Sequence, residues 1–119
     1  MSTQLKETKD QLIFRNTNKQ KGRHTAVTPS NSAMKHLVYG RVILDQEVPS
    51  VSFSTGVLES GFICMSGDCT VKADGQSIEI GQHDSIYIPR DTEVEITTSS
   101  SVDLVECSAE VENRYPLQV

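Results

Sequence analysis

The chain has no tryptophan, and only three tyrosines and three phenylalanines among 119 residues. Its core must therefore rest on aliphatic side chains. No apolar run approaches the roughly 20 residues that cross a bilayer as a helix, so no membrane partner is expected. The N-terminal stretch MSTQLKETKD is polar and lacks the apolar centre of a signal peptide. Cytoplasmic location is the default expectation. Cysteines number three, Cys64, Cys69 and Cys107, and all fall in strand-like segments. An odd count of this kind argues against a secreted disulfide framework. A Cys64–Cys69 bridge across the turn at Gly67 is conceivable, but all three read as small core or half-buried residues. No CxxC or HxH spacing occurs, so neither metal nor cofactor is expected. There is also no Ser-His-Asp order, no phosphate-binding glycine loop and no carboxylate pair of clear geometry.

Charge is unevenly spread. Residues 1–41 hold eight Lys or Arg and two acids, whereas residues 42–119 hold three and fourteen. A basic arm on an acidic body suggests packing on that body or on a second subunit. Nucleic acid is not expected, because the body would repel phosphate.

What the chain has in abundance is alternation. Ile63 and Met65, Val71 and Ala73, Ile78 and Ile80, and Ile86 and Ile88 each sit two residues apart, the strand period. Turn residues separate them at Ser66-Gly67-Asp68, Asp74-Gly75, Gly81-Gln82 and Pro89-Arg90-Asp91. Asp-Gly predicts a type I′ hairpin. Pro89 closes its strand, having no N–H to donate. The runs Leu37 to Leu44, Val51 to Phe53, Val94 to Thr97 and Val102 to Ala109 add further strands. Gly40 marks a bulge or a close backbone approach. No segment keeps apolar residues at i, i+3, i+4 and i+7 over two turns. About eight to ten short strands imply an all-β barrel or sandwich. Ile63, Met65, Val71, Ile78, Ile80, Ile86, Ile88, Val94 and Ile96 are the expected core.

The expected organisation is a polar basic arm over residues 1–36, a barrel over 37–116 and a tail over 117–119. Residues 1–10 read as frayed, QLIFR (11–15) as a short edge strand and 16–32 as loop. Unpaired sheet edges pair, so a homodimer is expected, made through QLIFR or the 37–44 run.

Two stretches carry a resemblance. Glu59-Ser60-Gly61-Phe62-Ile63-Cys64-Met65-Ser66-Gly67 is similar to the tail of the first cupin motif. Asp84-Ser85-Ile86-Tyr87-Ile88-Pro89-Arg90-Asp91 is similar to the second. The closing Ser108-Ala109, followed by Tyr115-Pro116, narrows the resemblance to the N-terminal cupin half of the 5-keto-4-deoxyuronate and 5-deoxyglucuronate isomerase family. That resemblance implies a single jelly-roll barrel of short antiparallel strands. In the family, a divalent metal held by His and Glu in the second cupin half assists aldose–ketose isomerisation. Here Val51 to Leu58, the stretch before Glu59, holds no histidine, and Arg90 to Glu95 holds none either.

The expected function is thus a non-catalytic cupin module serving assembly or sugar-acid binding. The alternatives are an active isomerase using Glu59 or His83 as base, and a free-standing carbohydrate-sensing cupin. Candidate ligand-pocket residues are Glu59, its candidate partner Arg41, and His83. His24 and His36 read as solvated or capping residues. Tyr87 reads as an outer-face aromatic at a subunit contact.

Overall fold

The computed structural model describes residues 12–119, so the expectation of a frayed 1–10 lies outside it. Eight strands follow in order: β1 (Gly22–Val27), β2 (Val38–Leu44), β3 (Ser50–Ser54), β4 (Leu58–Ala73), β5 (Gln76–Gly81), β6 (Ser85–Ile88), β7 (Glu93–Thr97) and β8 (Val102–Glu110). All their pairings are antiparallel, in the order β1-β2-β8-β4-β7-β3, with β5 and β6 also on β4. The fold is the all-β architecture that the alternation implies, in the jelly-roll form that the resemblance implies.

β4 belongs to both sheets. Its first half lies between β8 and β6, and its second half between β7 and β5. The turn expected at Ser66-Gly67-Asp68 is not a reversal. The strand continues, and a bulge at Met65 shifts its register against β8 between Cys64 and Ser66. Gly67 takes a φ of 78°, and a side chain there would collide with the Ser101 carbonyl. The turn residues thus bend the strand from one sheet into the other instead of ending it.

This bulge also resets the inward phase. Phe62 and Cys64 are buried before it, and Cys69, Val71 and Ala73 after it. Ile63 and Met65, expected in the core, are instead 46% and 48% exposed. Period two alone fixes the alternation but not which member faces inward. Of the remaining expected core, Val71, Ile80, Ile86, Ile88, Val94 and Ile96 are buried and Ile78 is partly so. Val42, Leu44, Val102 and Leu104 complete the layer from β2 and β8.

The Asp74-Gly75 turn has φ of 53° and 74°, the two positive values of a type I′ hairpin. Two expectations for the arm need correction. Leu12 is helical and residues 13–15 are irregular, so the described part of QLIFR is no strand. The arm's strand is β1, inside the stretch read as loop. Its polar sequence GRHTAV hides it, because its residues are half-buried, all but Thr25, instead of alternating apolar and polar. β1 covers the outer edge of β2, so the 37–44 run has no free edge for a second copy. At Gly40 the backbones approach closely. A Cβ would lie 2.5 Å from the His24 carbonyl oxygen, which explains the glycine within the strand.

Candidate functional site

β8 sends Val102, Leu104, Glu106 and Ser108 to the interior in strict alternation. The first two are apolar and the second two polar, so one end of the barrel interior is polar. β4 adds Ser60, which pairs with Ser108 across the ladder. Glu106 and Ser60 are 4% and 1% exposed. A carboxylate buried this deeply needs a counter-charge. Arg23 of β1 supplies it, with Nε donating to Oε1 and Nη2 to Oε2, both at 2.9 Å. Ser60 and Ser108 donate to Oε2 at 3.3 and 3.2 Å, and their hydroxyls lie 2.9 Å apart. The guanidinium rests 3.9 Å above the Phe53 ring, which packs on Phe62 at 6.1 Å between centroids. Charge, planar fork and ring face are therefore all engaged by one arginine.

Chemically, this arrangement is closed. Both carboxylate oxygens already accept hydrogen bonds, and the guanidinium caps the polar end. Among the described residues no three His, Cys, Asp or Glu side chains converge as metal ligands do. The polar cluster fills the interior with the chain's own groups.

The three residues expected at a ligand pocket are not brought together. Arg41 alternates with the buried Val42 and so lies on the outer sheet face. It pairs with Asp103 there, Nη2 to Oδ2 at 2.6 Å, and donates to the Tyr39 hydroxyl at 3.2 Å. Burial opposes its charge, but the Asp103 and Tyr39 hydrogen bonds outweigh it and raise the arginine further. Glu59 does not pair with Arg41. It accepts a hydrogen bond from the Tyr87 hydroxyl at 2.8 Å. Burial of the phenol, then this bond, pushes Tyr87 up to about 12. His83 is exposed in the β5–β6 turn with φ 74°, its N–H donating to the Cys64 carbonyl at 2.8 Å. His24 is a half-buried residue of β1 rather than a solvated one, and its Nδ1 is buried without a partner.

The basic arm packs on its own body. Besides Arg23, Lys21 reaches Asp45 at 2.9 Å and also bonds Glu47. Cys64 and Cys69 are buried and free, while Cys107 is exposed rather than half-buried. Burial raises Cys64 and pushes Cys69 up to about 12.

Sequence reasoning missed Arg23, Ser60, Glu106 and Ser108. A signal was present for three of them. Glu106 and Ser108 continue the inward phase of Val102 and Leu104, and Ser60 that of Phe62 and Cys64.

Two surface hollows flank the barrel. One, about 540 Å³, is rimmed by polar residues, Lys72, Asp74, Gln76, Ser77, Thr92 and Arg114 among others. The other is largely apolar, about 440 Å³, and includes Leu12, Phe14, Met34, Leu37, Tyr39 and Cys107.

A small two-sheet jelly roll with a side-chain-filled interior defines the class as a cupin. The solved structures agree. An IolB-like protein from Salmonella typhimurium LT2 superposes with a TM-score of 0.71 at 22% identity, over 83% of this chain and 41% of that one. A cupin protein from Bacteroides fragilis gives 0.62 at 19% identity, over 82% and 85%. The Cnp3 cupin domain of Schizosaccharomyces pombe gives 0.62 at 12% identity, over 75% and 64%. The chain thus spans under half of the IolB-like protein and less than two thirds of the yeast domain. No curated protein matches. The sequence model of the KduI/IolB family matches residues 12–119, and the chain belongs to that family.

Proposed function

We propose that this chain is a non-catalytic cupin module of the KduI/IolB family, acting in the cytoplasm and serving assembly. One observation supports the reading above others. The polar end of the barrel is occupied by Glu106, with Arg23, Ser60 and Ser108 all bonded to its carboxylate. A metal-assisted isomerase needs several ligands converging on one ion with a position left for substrate. Here the interior carboxylate of Glu106 is committed to arginine and serine. The test is an isomerase assay on 5-keto-4-deoxyuronate and 5-deoxyglucuronate, with and without added divalent metal. No turnover is expected. Metal-dependent turnover overturns the reading.

A second reading, sugar-acid binding, is favoured by the polar-rimmed hollow. Lys72 offers a cation for a carboxylate, Gln76 and Ser77 offer partners for hydroxyls, and Arg114, held by Asp74 at 2.9 Å, forms the same wall. Titration with a hexuronate, read by amide chemical shifts, should move these residues, and Lys72→Gln should abolish the effect. Shifts scattered away from this hollow sink it. Contacts by Arg41, Glu59 or His83 would fall at separate places, the first two on the outer sheet face and the third at a turn.

A further inference from the structure

Strand β1 covers the polar end of the barrel without belonging to its core. It pairs with β2 alone, at the end of the sheet order. None of the buried apolar side chains lies in Gly22–Val27, so the apolar cluster is complete without this strand. The one side chain that β1 bonds into the interior is Arg23. That side chain is still 27% exposed, so its guanidinium stands in the mouth of the interior. The neighbouring anchor, Lys21 to Asp45 and Glu47, lies at the surface, where ion pairs contribute little. Seating the strand also leaves the His24 Nδ1 buried without a partner, a standing cost. Beneath the guanidinium lie the Glu106 carboxylate, two serine hydroxyls on its Oε2 and the face of Phe53. A carboxylate placed for two parallel N–H bonds, with a ring stacked on the same plane, selects a guanidinium over an ammonium.

We propose that β1 is a displaceable plug, and that the pocket it closes binds a small guanidinium compound, with Arg23 as the built-in occupant. Lifting β1 withdraws its guanidinium and leaves the Glu106 carboxylate buried without a counter-charge, which favours a replacement cation. A soluble guanidinium then meets the same fork, hydroxyls and ring face. Gly40 offers a way to open the site. A Cβ there would lie 2.5 Å from the His24 carbonyl oxygen, and the next two closest atoms also belong to β1. Gly40→Ala therefore pushes on β1 and not on the rest of the barrel. The proposal goes beyond the assembly reading and does not rest on it.

The test uses methylguanidinium as the probe and methylammonium, at equal ionic strength, as the control. For Arg23→Ala and for Gly40→Ala, methylguanidinium should raise the melting midpoint and move the amide signals of Ser60, Glu106 and Ser108. Methylammonium should do neither. Adding Glu106→Gln to either variant should abolish the response. In wild type, the β1 amides should exchange with deuterium faster than those of β8. Methylguanidinium should speed that exchange further, because it binds only the open form. Should the variants fail to fold, this wild-type exchange decides alone. Exchange of β1 no faster than that of β8 overturns the plug. Equal responses to the two cations, or no response to either, overturn the guanidinium site. The isomerase assay above is independent of each of these results.

Discussion

Arg23 and Glu106 join two strands that do not pair with each other. β2 lies between β1 and β8 in the sheet, yet the guanidinium passes beneath it and closes two 2.9 Å bonds. A strand of the basic arm is thereby fastened to the barrel interior.

This pair makes an asymmetric mutational prediction. Arg23→Ala leaves Glu106 buried without a counter-charge and should cost ~3 kcal/mol or more. The double variant Arg23→Met with Glu106→Leu should recover most of that loss. Urea unfolding measures both. A single variant as stable as wild type would show that the carboxylate finds water instead.

The bulge at Met65 fixes which β4 side chains face inward, and truncation reads this directly. Phe62→Ala should destabilise by about 3–5 kcal/mol, as core aromatics do. Its exposed neighbour Ile63→Ala should cost less than about 1 kcal/mol. Equal losses at the two positions would contradict the register.

Glycine positions separate strain from collision. Gly75→Ala meets open space and should cost about 1–2 kcal/mol, from its positive φ alone. Gly67→Ala adds an overlap with the Ser101 carbonyl on top of φ 78° and should be far more damaging. Thermal melts of the two variants should differ clearly, with Gly67→Ala the lower.

Thiol chemistry provides a pH prediction. An aromatic disulfide reagent should modify Cys107 alone in the native protein, and all three cysteines after unfolding. Cys69 is held protonated by burial, its value rising from 9.0 to about 12. A raised folded value means that stability is whole below pH 9 and drains away as pH climbs through 12. Tyr87, raised from 10.0 to about 12, adds in the same direction. Cys69→Ala with Tyr87→Phe should flatten the alkaline limb. An unchanged limb would assign it to other groups.

Much of the fold is legible in the sequence because local chemistry there is unambiguous. Asp74-Gly75 specifies a hairpin, and it forms. Pro89 closes β6 where expected. Ser66-Gly67-Asp68 misleads, since a glycine at positive φ serves a bulge as readily as a turn. Ile63 and Met65 mislead because alternation leaves the inward phase open until a neighbouring strand sets it. The site is less legible. Arg23 stands among Asn, Thr and Lys residues that read as loop, and its partner lies 83 positions away. Arg41 meets Asp103, not Glu59, because diagonal neighbours on one sheet face are within reach of a long side chain.

The shared strand β4 also sets when this chain can fold during its synthesis. Its first half lies between β6 and β8, and β2 between β1 and β8, so β8, Val102–Glu110, is the strand that joins them. Everything upstream of that segment emerges from a ribosome before its central partner exists. The β1–β2 pair and the first half of β4 must therefore wait to be joined into one sheet until Glu110 is out. The β4–β5 hairpin and the β1–β2 pair, whose partners lie nearby in the chain, are free to form earlier.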